Sequence, residues 1–150
     1  MRAILISLLA SAAMCPSAAA QPRPNFSGTW KLNVAKSDVQ EPRLKGAIFK
    51  IDHREPAFTI ERTLLYGNDR EQMKFDLRTD GRTIVTPYGE EKLALQLRWD
   101  DGELVCSIRD VEDARKNGDT VKYSLSPDGK LLTVTGAAGA NPRVWVFQRE

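Results

Sequence analysis

The chain has 150 residues, with 22 basic and 20 acidic side chains, one histidine and two cysteines. The near balance of charge leaves no net field to gather a polyanion, and the basic residues are scattered singly without interleaved aromatics, which argues against a nucleic-acid surface. A zinc site would have to rely mostly on carboxylates, an uncommon donor set, so neither a metal nor a cofactor is expected.

In chain order, the first twenty residues have the three parts of an export signal. Arg2 is a short positive n-region, Ala3 to Ala13 an apolar run, and Ala18-Ala19-Ala20 a small-residue cleavage site behind Pro16. The apolar run is too short to span a bilayer, so residues 1–20 are expected to be a cleaved signal peptide. Residues 21–150 would then form one domain, periplasmic or extracellular, with no stable membrane insertion. A lipoprotein anchor through Cys15 is disfavoured by Met14 before it. Cleavage removes Cys15 and leaves Cys106 alone, so no intramolecular disulfide is available, and about 130 residues suffice for a self-sufficient core. Cys106 lies in an apolar segment and reads as a buried structural thiol.

Beyond the Pro-rich, pre-extended arm Gln21-Pro22-Arg23-Pro24, one signal dominates: short alternating segments cut by Gly, Asp, Asn and Pro clusters. The predicted strands are 28–34, 47–53, 57–66, 71–78, 82–86, 91–99, 103–111, 120–126, 130–135 and 143–148. Gly67-Asn68-Asp69, Thr79-Asp80-Gly81, Asp100-Asp101-Gly102, Asn117-Gly118 and Ser126-Pro127-Asp128-Gly129 supply hairpin turns, so consecutive strands are expected to be neighbours. Helix has room only between Ala35 and Lys45, where Ser37 or Asp38 caps a turn or two and Pro42 and Gly46 limit it. Residues 136–142 read as a loop before the last strand.

Alternation places Phe58, Ile60, Arg62, Leu64 and Tyr66 on one face, and likewise Met73, Phe75 and Leu77; Leu93, Leu95, Leu97 and Trp99; and Val121, Tyr123 and Leu125. One apolar face per strand suits an all-β, antiparallel up-and-down meander closed as a barrel of about eight to ten strands, with at most a short helix after the first. Such an interior is either filled by side chains or open to one small molecule. Gly28 lets the first strand bend or approach another closely, and Trp30 plugs one end, with Arg143 or Arg149 available to stack on its indole. Arg62 interrupts an apolar face, and a buried guanidinium is costly without an anion. That anion is either a ligand's head group or an internal acid, unless a bulge turns Arg62 outward. Phe75, Trp99 and Tyr123 supply an apolar wall or merely the core.

Phe26-Ser27-Gly28-Thr29-Trp30-Lys31-Leu32, followed by Asn33 and Lys36-Ser37-Asp38, resembles the opening of the calycin superfamily of lipocalins and fatty-acid-binding proteins. It is closer still to secreted bacterial proteins of lipocalin-like type. Arg143-Val144-Trp145 resembles the closing strand of fatty-acid-binding proteins, where an arginine and an aromatic two residues on face the cavity. The resemblance implies a ligand-holding barrel, with Arg143 and Trp145 joining Arg62 in the cavity. The chain departs from it in three ways. The connector 35–46 is too short for the helix-turn-helix lid of fatty-acid-binding proteins. The chain ends on a strand where lipocalins add a helix. Trp145 stands where the fatty-acid-binding pattern has tyrosine.

Catalysis is not expected. His53, between Asp52 and Arg54 beside the turn at Glu55-Pro56, has no nucleophile elbow to serve, and the carboxylates cluster at turns where solvated charge explains them. The expected function is therefore an exported barrel that holds a small hydrophobic molecule. The alternative is a filled barrel that binds or inhibits a protein partner through its loops or N-terminal arm.

Overall fold

The computed structural model describes residues 22–113, 115, 118–137 and 143–150. The expected signal peptide, Cys15, Gln21, Asn117 and most of the loop before the last strand lie outside them. Ten antiparallel strands occupy the described residues: β1 Gly28–Leu32, β2 Leu44–Arg54, β3 Ala57–Tyr66, β4 Asp69–Arg78, β5 Asp80–Tyr88, β6 Glu91–Asp100, β7 Glu103–Asp110, β8 Asp119–Leu125, β9 Leu131–Ala137 and β10 Arg143–Arg149. Their order in the sheet is β4-β3-β2-β1-β10-β9-β8-β7-β6-β5. The first and last strands close the wall, with Trp30 opposite Arg149 and Leu32 opposite Phe147. The result is a nearly closed barrel, as the alternation and turn chemistry predict.

One expectation about neighbours is corrected. Thr79-Asp80-Gly81 reads as a hairpin turn, yet β4 and β5 are the two edges of the sheet and are not hydrogen-bonded to each other. The Thr79 amide bonds instead to the Pro56 carbonyl at 2.9 Å, which ties the end of β4 to the β2–β3 turn. Pro87 is tolerated in β5 because an edge strand has fewer ladder bonds to supply.

The helix expectation is also corrected in detail. Only a 3-10 turn forms, Val34–Lys36, capped by Asn33, whose side chain accepts from the Lys36 amide at 3.2 Å. Ser37 closes that turn rather than opening it. Its hydroxyl donates to the Asn33 carbonyl at 2.7 Å and accepts from the Val146 amide at 2.9 Å. The Asp38 amide bonds to the Val144 carbonyl at 2.8 Å. The connector between β1 and β2 is thus stitched along β10, and residues 33–43 contain no helical lid.

Burial follows the predicted faces. Phe26, Trp30, Phe49, Phe58, Ile60, Leu97, Leu104, Leu132 and Phe147 are essentially solvent-free. Phe26, ahead of β1, folds under the barrel and makes ring contacts with Phe58, His53 and Trp99. Its carbonyl accepts from Trp30 Nε1 at 2.9 Å. Together Phe26 and Trp30 close this end, the base.

Arg149, not Arg143, is the arginine that stacks on Trp30, its guanidinium carbon 4.3 Å from the ring centroid. It also donates to the Ser27 carbonyl at 2.7 Å and the Gly129 carbonyl at 2.9 Å. Gly28 makes room for it. The Gly28 φ is +144°, and a Cβ there would meet Arg149 Nη1 at 2.9 Å.

Candidate functional site

The base carries a polar cluster that the sequence reading passed over as a turn. The Phe26 amide donates to His53 Nδ1 at 3.3 Å, so the ring proton sits on Nε2, which faces Glu55 Oε1 at 3.1 Å. Trp99 Nε1 donates to the same carboxylate at 2.7 Å, and so does the Thr79 hydroxyl. Partial burial pushes the Glu55 carboxyl up, but the bonds from Thr79, His53 and Trp99 outweigh it and hold the carboxyl below its ordinary value of 4.5. Arg23, from the N-terminal arm, lies 5.3 Å from the Trp99 ring centroid and 3.9 Å from Glu55. Every polar group here is occupied by another, which marks a structural plug. Trp99 faces inward as alternation predicts, but at the base and bonded to Glu55, away from the open interior.

The interior opens at the other end. A cavity of about 410 Å³ is lined in part by Phe49, Arg62, Tyr123, Val134, Arg143 and Trp145. A branch of about 210 Å³ shares Arg62, Tyr88, Ile108, Asp119 and Tyr123 with it, and runs between the apolar side chains of Ile60, Phe75, Leu77, Leu93 and Leu95. Of the residues singled out from the sequence, Arg62, Tyr123, Arg143 and Trp145 meet in the first chamber and Phe75 in the second. Arg143 is solvent-exposed at the rim.

Arg62 is the centre of this arrangement. In the sheet it lies between Phe49 of β2 and Met73 of β4. Its guanidinium carbon is 5.2 Å from the Phe49 ring centroid, so a cation–π contact holds it inside. Neither of the alternatives to a ligand appears. Arg62 is not turned outward by a bulge, and no carboxylate among the described residues comes within ion-pair distance of it. Its Nε is buried without a hydrogen-bond partner among the described residues, and so is Trp145 Nε1. The tryptophan at the position where the fatty-acid-binding pattern has tyrosine therefore still offers a donor, on the indole nitrogen.

Burial raises the Tyr123 phenol to about 12, with the Arg62 charge acting against it, so the phenol stays protonated. Burial likewise raises the Cys106 thiol to about 11 against the pull of Arg62, which leaves it an unreactive wall residue. Arg62, Trp145 and Tyr123 can all donate, so the chamber is suited to a molecule that accepts hydrogen bonds. No group of three histidine, cysteine or acidic side chains able to hold a metal occurs among the described residues.

No known sequence family and no curated protein matches the chain. Its shape does match solved structures. Human cRBP IV superposes with a TM-score of 0.62 at 18% identity, over 85% of this chain and 100% of that one. A secretary abundant heat soluble protein from Ramazzottius varieornatus gives 0.63 at 13%, over 83% and 95%. The REP1-NXSQ fatty acid transporter gives 0.60 at 8%, over 83% and 96%. The fold is calycin-like.

Proposed function

We propose that this chain is an exported single-domain barrel that carries or sequesters one small hydrophobic molecule, whose acidic or acceptor-bearing head group sits at Arg62. One observation carries the reading: a guanidinium held inside an apolar wall, with its Nε buried and unpartnered and no carboxylate among the described residues within ion-pair distance. Burying such a group without an anion is costly, so its retention points to a ligand that supplies the acceptor. A cavity of this size, mostly apolar with a few convergent donors, has the usual character of a small-molecule site. The naming of one structural neighbour as a fatty acid transporter supports the same class of ligand. The N-terminal arm, by contrast, is spent on the barrel's own base through Arg23, which disfavours its use on a protein partner.

The test is native mass spectrometry of the protein purified from its own source, before and after unfolding, followed by titration with the anionic fluorophore 1-anilinonaphthalene-8-sulfonate. An adduct lost on unfolding and saturable fluorophore binding are expected. Arg62→Met, which keeps the stem and removes the charge, should weaken fluorophore binding by roughly 10- to 100-fold, the worth of a charge-assisted hydrogen bond. A bare mass together with absence of saturable binding in a folded sample would sink the reading.

A further inference from the structure

The wall of the barrel has a slot in its side. Because β4 and β5 are unpaired edges, a groove of about 450 Å³ runs between them, lined by Glu71 to Phe75 from one edge and by Pro87, Tyr88 and Gly89 from the other. Phe75 and Tyr88 also line the apolar branch of the interior, so groove and branch meet at these two side chains. The donors lie on the other side of this junction: Arg62 stands where the two chambers join, and Trp145 lines only the first.

We infer that the bound molecule enters the branch tail-first from Arg62 and that its tail leaves the barrel sideways through the β4–β5 slot, rather than through the open end. This rests on the carrier reading above and adds the path of the tail and the ligand sizes accepted. Polarity decides the direction. Arg62 and Asp119 line both chambers, but Arg143 and the Trp145 indole N–H line only the first, whereas Ile60, Phe75, Leu77, Leu93 and Leu95 line only the branch. Burying methylenes in the branch is favourable, and from the branch the slot adjoins directly at Phe75 and Tyr88. Lys74, on the outward face of β4, discourages another chain from pairing with this edge. A ligand with a side exit has no sharp upper length, and a bulky group at its far end can remain in solvent.

The experiment is calorimetric titration of the full mature chain with octanoate, dodecanoate, octadecanoate and dodecanoate bearing a terminal pyrene. The wild-type chain should bind octadecanoate more tightly than octanoate and accept the pyrene-terminated ligand about as well as dodecanoate. Phe75→Trp, which fills the junction from inside, should reduce the octadecanoate-to-octanoate affinity ratio about tenfold for every two methylenes turned out of the slot. Tyr88→Trp fills it from the exposed side and should act in the same direction if the first variant folds poorly. Val85→Trp, on the exposed side of β5 and outside the cavity lining, should leave the ratio near the wild-type value. Rejection of the pyrene-terminated ligand by the wild-type chain would overturn the side exit, as would an unchanged ratio in both junction variants. Failure of all four carboxylates to bind the wild-type chain would overturn the carrier reading and the side exit together.

Discussion

Gly28→Ala tests the closure of the base, on which the shape of the cavity depends. Two costs can be separated. At φ +144° an alanine is held in a region that almost only glycine occupies, worth about 1–3 kcal/mol. Its Cβ would also stand 2.9 Å from Arg149 Nη1, so the guanidinium must shift off Trp30 and lose a cation–π contact of about 0.5–1 kcal/mol at an exposed site. Together these give a loss of about 3 kcal/mol, or roughly 10 °C in Tm for a domain of this size. The separation is measured by a double-mutant cycle with Arg149→Ala in urea unfolding. Once the guanidinium is gone the added methyl keeps only an ordinary contact with Trp30 Nε1 at 3.7 Å, so Gly28→Ala should cost about 1 kcal/mol less in the Arg149→Ala background. An additive cycle would refute the steric link between Gly28 and Arg149, and a loss under about 1 kcal/mol would refute the strain as well.

Two further outcomes follow from the base. Phe26→Ala removes a solvent-free ring that touches Phe58, His53 and Trp99, and should cost about 3–5 kcal/mol in equilibrium unfolding. A loss below about 1 kcal/mol would mean the residue does not plug the barrel. Glu55 has its carboxyl held below 4.5 in the folded chain, so its stabilisation is fully present above that pH and fades as pH falls through the lower folded value. The stability difference between the wild-type chain and Glu55→Gln should therefore shrink on acidification below pH 4.5, and a difference that grows there would reverse the assignment.

Much of the wall was legible because alternation and turn chemistry are local. β3 begins and ends where its pattern does, and several other strands depart by a residue or two. The start of β2 at Leu44 was hidden by the irregularity between Leu44 and Gly46, which breaks the alternation just where the strand begins. Alternation also tells which side of the wall a residue faces but not how far along the barrel it lies, so Trp99 was correctly turned inward and yet could not be placed at the base. The choice between Arg143 and Arg149 as the partner of Trp30 depended on the register of β1 against β10, which the distant ends of the chain set together. The β4–β5 gap was illegible for a similar reason: a local Asp-Gly turn signals a hairpin, while the bond from Thr79 to Pro56 that ties the end of β4 is long-range. In the site, Arg62 stood out as a charge on an apolar face. The Glu55 cluster did not, because its members come from four separate segments.

The way the ring is joined also has a kinetic side. All pairings except one link strands that follow each other in sequence and can form early as local hairpins. β1 and β10 come from opposite ends of the chain and meet over only a few residues. Loop-closure entropy makes such a contact late, so until residues 143–149 arrive the chain holds two separate sheets, β1 to β4 and β5 to β9, with unsatisfied ladders at β1 and β9. Chains truncated before β10 should accumulate as edge-exposed sheets prone to self-association, and the rate of barrel completion should depend more on the last seven-residue strand than on any hairpin.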